Sequence, residues 1–262
     1  MKTTILYRVD RDNQEEYDIA AKTTISKLVH YRSQITEDSL VIGRYSVLPF
    51  YKELEEELAL KNSRLINSYE QHLYIADIMN WYEDIKEYTP ETYTTWGHIK
   101  DGQWVVKGRT NSRKFNWNTM MFADGREDLI EKIKMNMVDP LIREQGIVVR
   151  KYVPLKKVDE GINGLPISKE WRLFFLGKKL ISLGYYWSSH METAPKELPT
   201  DGIILAKKVA AIIAKKTNFF VIDIAEKEDG GYIVVEINDG QMSGLSTINP
   251  TQFYTRLDDL LL

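Results

Sequence analysis

Two carboxylates set against each other in one hairpin constrain this chain more than any other feature. Residues 219–239 read FFVIDIAEKEDGGYIVVEIND. Two apolar runs flank Asp229-Gly230, a dipeptide that strongly marks a two-residue type I′ hairpin turn. Such a turn places Glu228 opposite Gly231, and the same register places Asp223 opposite Glu236. The two-residue strand period puts Asn238 on the face of Glu236, with Ile222, Ile224, Val235 and Ile237 on the other. Like charges directly opposite repel, and burying them unpaired costs more still. A divalent cation is the simplest compensation, because a hard cation such as Mg²⁺ takes oxygen ligands. A solvated acid on a strand is the ordinary alternative for Asp223. The convergence of three polar side chains on one face argues for a site.

With 262 residues, 43% hydrophobic and 28% charged, the chain has material for one large domain or two lobes, and too much apolar content for disorder. A formal net charge of −3 gives no bulk attraction to nucleic acid or membrane. The lack of cysteine excludes disulfides, thiolate zinc sites and cysteine nucleophiles. The opening MKTTILYRVDRDNQEEY has an apolar run too short for a signal peptide. No segment approaches the ~18 consecutive apolar residues of a membrane helix. The expectation is a cytoplasmic protein with neither a membrane nor a nucleic acid as partner.

The first ~90 residues alternate strand and helix, the pattern of an α/β lobe with parallel strands. Strands are expected at 3–9, 40–51 (ending in a Pro49 turn) and 64–67, with helices at 51–62 and 68–88. Asn67-Ser68 can cap the second of these helices, and Thr89-Pro90 stops it. From Trp96 the pattern changes. Strands at 103–109, 147–153, 170–177 and 179–187 join the hairpin, with helices over 126–142, 203–215 and from Pro250 onward. The expected fold class is α/β and α+β: an N-terminal α/β lobe at 1–95, then an antiparallel region at 96–262. That region divides into a central lobe at about 96–153 and a C-terminal lobe at 154–262.

Four further segments carry chemistry. Lys107, inside the apolar strand QWVVKGR, is either a phosphate ligand or a lysine on a solvated sheet face. The loop after it, TNSRKFNWN, holds Ser112, and Arg109, Arg113 and Lys114 make the segment basic. It can grip phosphates or stand solvated; RNA binding lacks a broad basic surface to support it. Glu170 and Arg172 in EWRLFF share one strand face, as a structural ion pair or as a grip on an anionic intermediate. Arg150-Lys151 in IVVRKYVPL marks a lobe junction. The four histidines, His30, His72, His98 and His190, do not cluster and are assigned surface or capping roles.

Taken in order, these segments resemble the ATP-grasp superfamily, over roughly Trp104 to Ile248. The resemblance implies an ATP-grasp fold, with ATP held between two antiparallel α+β lobes. It implies that Asp223, Glu236 and Asn238, in VIDIA and VVEIND, hold the Mg²⁺ that bridges the ATP phosphates. Lys107, Arg109 and Ser112 would hold phosphates. IVVRKYV matches the hinge strand, where Arg150, Lys151 and Val153 border the adenine, and Glu170 opens the strand that follows. VVRKYVPL followed by EWRLFF is similar to a divergent clade common in phage and bacteria. That clade includes a eukaryotic cell-division-cycle protein that helps assemble a translation initiation factor.

Three departures set the chain apart from better-known ligases of this superfamily. Arg150 stands where the hinge usually has Glu, the phosphate loop has only Gly108, and Val221 stands where an Arg commonly precedes the metal Asp by two. Arg172 is the candidate to replace that Arg on an acyl-phosphate, and Ser243 and Gly244, in DGQMSGLS, are expected to face the substrate. The implied activity is an ADP-forming carboxylate–amine ligase with unidentified carboxylate and amine substrates, a protein or peptide among the candidates. The alternatives are an ATP-binding assembly factor with little turnover, and phosphoryl transfer to an alcohol.

Overall fold

The structure is a computed structural model describing residues 1–45, 50–195 and 197–262. The expected Pro49 turn lies outside the described residues. The chain opens with β1 (Lys2–Tyr7), α1 (Gln14–Thr23), β2 (Lys27–Val29), β3 (Ser39–Arg44), α2 (Tyr51–Ala59) and β4 (Arg64–Leu65). The four strands pair in the order β2-β1-β3-β4, every contact parallel. This is the α/β arrangement that the strand–helix alternation predicts.

The helix expected over 68–88 is two helices, α3 (Tyr69–Ala76) and α4 (Ile78–Ile85). Asp77 breaks it: the residue is extended, and its side chain caps α4 by accepting from the Met79 N–H at 3.0 Å. Ser68 caps α3, accepting from the Gln71 N–H at 3.1 Å. Tyr69, at the start of α3, packs against the core of the parallel sheet. Ile75, Ile78, Trp81 and Ile85 join the core of the C-terminal sheet.

A second sheet comprises β5 (Thr92–Tyr93), β6 (Gln103–Gly108), β7 (Phe122–Asp124) and β8 (Ile147–Lys151), in the order β5-β8-β6-β7 and antiparallel throughout. Between β7 and β8, α5 (Arg126–Val138) and α6 (Pro140–Gln145) replace one expected helix. Pro140 cannot continue α5, and Asp139 caps the new start by accepting from the Leu141 and Ile142 N–H groups. A small ribbon of β9 (Lys157–Glu160) and β10 (Pro166–Ser168) follows. The last sheet is built from β11 (Glu170–Leu176), β12 (Lys179–Tyr185), β13 (Phe219–Glu226) and β14 (Tyr232–Asp239), in the order β12-β11-β13-β14. Helix α7 (Thr200–Ile213) covers one face of it, and α8 (Pro250–Leu261) with residues of the parallel sheet covers the other. No helix of the described residues is long and apolar enough to cross a membrane.

The hairpin register holds at Asp223 and Glu236, which face each other. It does so through two departures that cancel. The turn is one residue longer than the type I′ expectation: Lys227 N–H donates to the Gly231 carbonyl at 3.0 Å and Gly230 N–H to the Lys227 carbonyl at 3.1 Å. Gly230 and Gly231 both take positive φ, 98° and 74°, which only glycine adopts without strain. Near the turn, Glu226 therefore pairs with Tyr232 and Ile224 with Val234. A β-bulge then absorbs Val235 and restores the predicted pairing beyond it. Val235 is thereby corrected: it faces the cleft, and Val234 takes its place in the core.

Candidate functional site

A cleft of about 870 Å³, mouth included, opens between the second sheet and the C-terminal sheet. Apolar walls from Val105, Met121, Leu155, Leu165, Ile233 and Val235 suit a flat ring. Its polar lining includes Lys107, Ser112, Lys114, Lys151, Glu170 and Glu236. Sequence segments far apart in the chain thus meet on one cavity.

Lys107 leans from β6, buried, and pairs with the Glu236 carboxylate. Burial pulls the ammonium below its ordinary range. Burial works against the ionised Glu236 too, but Lys107, Lys114 and Arg150 outweigh it and hold the carboxyl down at about 2. Lys114 lines the same cleft, donating to the Tyr186 hydroxyl at 2.7 Å and lying over the Tyr186 and Trp187 rings. Burial opposes its charge, yet Tyr186, Glu170 and Glu236 together hold its ammonium above the usual lysine range. Glu170 is 3% exposed, and burial pushes its carboxyl up to about 7. Its Oε1 has no hydrogen-bond partner among the described residues. A buried acceptor without a donor is what a bound hydroxyl or amino group would satisfy.

Arg150 lines the cleft from β8, pulled down to about 10 by burial. Its guanidinium donates to the Val235 carbonyl at 2.7 Å and to the Thr89 and Thr92 hydroxyls at 2.7 and 3.3 Å. It braces the bulge that sets the register. Lys151 and Val153 line the same cleft. Among the described residues the Val153 N–H has no protein acceptor, while Lys151 and Tyr152 N–H donate to Glu91 and Gln103 carbonyls. Two expected phosphate-loop cations lie elsewhere. Arg109 forks onto Asp77 between α3 and α4, and Arg113 forks onto Asp139.

Arg172 on β11 stands directly opposite Asp223 on β13. Its fork grips both carboxylate oxygens at 2.9 and 2.8 Å, its remaining nitrogen donates to the Gly244 carbonyl at 3.0 Å, and it stacks over Tyr186. On the far side of this pair a second cleft opens. It is lined in part by His72, Asp77, Arg172, Asn238, Ser243 and Gly244. Glu236 thus faces the first cleft and Asn238 the second, with Asp223 and Arg172 in the wall between.

Asp223, Glu236 and Asn238 supply hard oxygen donors, and neither Glu236 Oε2 nor the Asn238 side chain has a protein partner among the described residues. Two carboxylates and an amide oxygen are the hard donor set that Mg²⁺ takes beside waters and substrate phosphates.

The sequence missed several residues. Lys114 appears there only as loop charge, and Tyr186 and Trp187 only as a strand end. His72 is neither at the surface nor a cap: it is 6% exposed, with Nδ1 2.9 Å from Asp239 Oδ2. Its place three residues before Ile75, on the buried face of α3, was the available signal.

A profile of the ATP-grasp domain, R2K clade family 3, matches residues 95–257. No curated protein sequence matches the chain. Among solved structures, an ATP-grasp RimK domain protein from Sphaerobacter thermophilus aligns over 99% of this chain and 100% of its own, with TM-score 0.57 and 14% identity. A D-alanine–D-alanine ligase from Bacillus anthracis, complexed with ATP, aligns over 91% and 84%, with TM-score 0.53 and 14% identity. The ATP-grasp ligase PsnB, complexed with a minimal precursor, Mg and ADP, aligns over 99% and 96%, with TM-score 0.54 and 10% identity. At these identities the likeness is one of fold, and the fold is ATP-grasp.

Proposed function

The chain belongs to family 3 of the R2K clade of ATP-grasp domains, and from that premise we propose that it is an ADP-forming carboxylate–amine ligase acting through an acyl-phosphate. The observation that carries this reading is the shared wall. An apolar cleft with a cationic end and a polar cleft of different chemistry meet at Asp223, Glu236, Asn238 and Arg172. A nucleotide in the first cleft would present its terminal phosphate to a carboxylate in the second. The named aligned structures include two called ligases, one with ATP and one with Mg and ADP.

Each residue has a role in this reading. Val153 N–H and the hinge backbone meet the base edge, and Glu170 accepts from a ribose hydroxyl. Lys107, Ser112 and Lys114 hold phosphate oxygens; Arg109 and Arg113 support the loop through Asp77 and Asp139. Asp223, Glu236 and Asn238 would hold Mg²⁺, which when bound neutralises phosphate charge as the terminal group transfers. Arg172 lies next to the acyl group and steadies the negative charge that develops on its carbonyl oxygen when the amine attacks the acyl-phosphate. Positioning and charge neutralisation are all that such a transfer asks of the protein.

The test is calorimetric titration of the purified protein with ATP, with and without Mg²⁺, followed by ADP release with pooled amino acids and peptides. Binding that needs Mg²⁺ and is abolished by Asp223→Ala is expected; binding unaffected by that change sinks the metal assignment. The alternative is an ATP-binding assembly factor. It draws on Val221, fully buried against Phe174 and Phe253 rather than presenting an arginine to the site. ATP binding without ADP release on any acceptor pool would favour it.

A further inference from the structure

We propose that His72 is the base that takes the proton from the attacking amine. This rests on the ligase reading above and goes beyond it. His72 sits on α3, outside the segments that carry the nucleotide site, and lines the second cleft with Arg172 and Asn238. Its Nδ1 is 2.9 Å from the Asp239 carboxylate, an acceptor, so Nδ1 carries the proton in this contact. In the neutral ring that leaves a lone pair on Nε2. Nε2 has no hydrogen-bond partner among the described residues, and it is not among the fully buried unpartnered atoms. It is the free edge of an otherwise fixed ring.

The fixing is thorough. Tyr51 stacks on the imidazole at 4.5 Å and 21° between planes. Asp239 is 2% exposed and is itself held by Asn67 Nδ2 at 3.0 Å and the Gln241 N–H at 2.9 Å. Gln241 also donates to the Tyr51 hydroxyl at 2.7 Å. A carboxylate that orients an imidazole, in a residue that lines a cavity and whose other nitrogen is unpartnered, is the arrangement general base catalysis requires. A histidine serving only to fill the core would have no edge on the cleft beside Arg172.

The step balances as follows. The amine nitrogen attacks the acyl-phosphate carbonyl carbon, forming the C–N bond. The C–O bond to phosphate breaks, and phosphate leaves with the bonding pair. The proton shed by nitrogen goes to His72 Nε2, while Nδ1–H stays hydrogen-bonded to Asp239.

The test uses the full chain with Mg-ATP, pooled amino acids and short peptides, and hydroxylamine as an alternative nucleophile. Hydroxylamine is already unprotonated at neutral pH and depends less on an enzymic base. In His72→Asn, whose amide can still donate to Asp239, amide products are expected to fall by about 10²-fold or more. Hydroxamate should fall far less. In His72→Gly, imidazole added to the solution should restore amide formation. If amide and hydroxamate fall together and imidazole restores neither, His72 is structural and the proposal is overturned; an undiminished amide rate also overturns it. A wild-type protein that forms neither product overturns the ligase reading itself, and the base with it.

Discussion

Arg172 and Asp223 form a two-pronged ion pair across β11 and β13, Nε to Oδ1 at 2.9 Å and Nη2 to Oδ2 at 2.8 Å. With Lys107 on Glu236, each carboxylate of the hairpin has its own cation. The repulsion that the register imposes is therefore met inside the protein before any metal arrives. Asp223 is 1% exposed, so Arg172→Ala would strand a buried charge. A loss of about 3–5 kcal/mol is expected, read as a lower urea midpoint at unchanged slope. A change under 1 kcal/mol would mean that the pair does not carry the hairpin's electrostatics.

Glu170 should make the protein less stable as pH rises. Burial raises its folded pKa to about 7, above the ordinary glutamate value. Between the unfolded value and 7, the folded state keeps a proton that the unfolded state has lost, so stability falls as pH climbs through that window. Below it the penalty is absent; above 7 it is complete, at about 3 kcal/mol. Glu170→Gln should flatten the stability profile between about pH 4.5 and 7. An identical slope in the variant would refute the assignment. Glu236 has the opposite sign: its lowered pKa supplies stability above the unfolded value that is lost as pH drops towards 2.

Lys107→Met is expected to weaken Mg-ATP binding by about 1.5–3 kcal/mol, the range of a hydrogen bond to a charged group. The side chain is buried at the cationic end of the first cleft, with its charge already directed at Glu236. Removing it also leaves Glu236 unpaired, so Mg²⁺ alone should bind more tightly even as ATP binds less. Opposite shifts of the two affinities in calorimetry distinguish a phosphate ligand from a lysine that merely supports the strand.

The sequence shows the Asp223–Glu236 pairing because strand period and turn chemistry are local rules. It does not show the route: the longer Glu228-Asp229-Gly230 turn and the bulge at Val235 each shift register by one, and only their cancellation is visible at the pair. Parallel order in the first sheet follows from strand–helix alternation, but the strands at 27–29, 92–93 and 122–124 are too short to signal themselves. They exist because a neighbouring strand offers backbone partners. Arg109 and Arg113 look like phosphate ligands in the chain, where Asp77 and Asp139 are distant; only the fold pairs them. His72 is invisible for the same reason, since Asp239 is 167 residues away.

Arg44 shows how the parallel sheet can govern the site without touching it. Fully buried at the end of β3, it donates to Glu16 Oε1 at 2.7 Å and to the Tyr45 hydroxyl at 2.7 Å. Its Nη1 donates to the Gly240 and Ser243 carbonyls at 2.7 and 3.0 Å, gripping the loop that leaves the metal-side strand β14. Tyr254 from α8 donates to the same Glu16 oxygen at 2.7 Å. Arg44→Met would leave Glu16 and two loop carbonyls short of donors, at a cost of about 3–5 kcal/mol. Pairing it with Glu16→Gln removes the stranded charge, so the double variant should recover much of the loss in urea unfolding. A cycle showing strict additivity would mean that Arg44 acts on the loop alone, and then Glu16→Gln should cost the same in the wild type as in Arg44→Met.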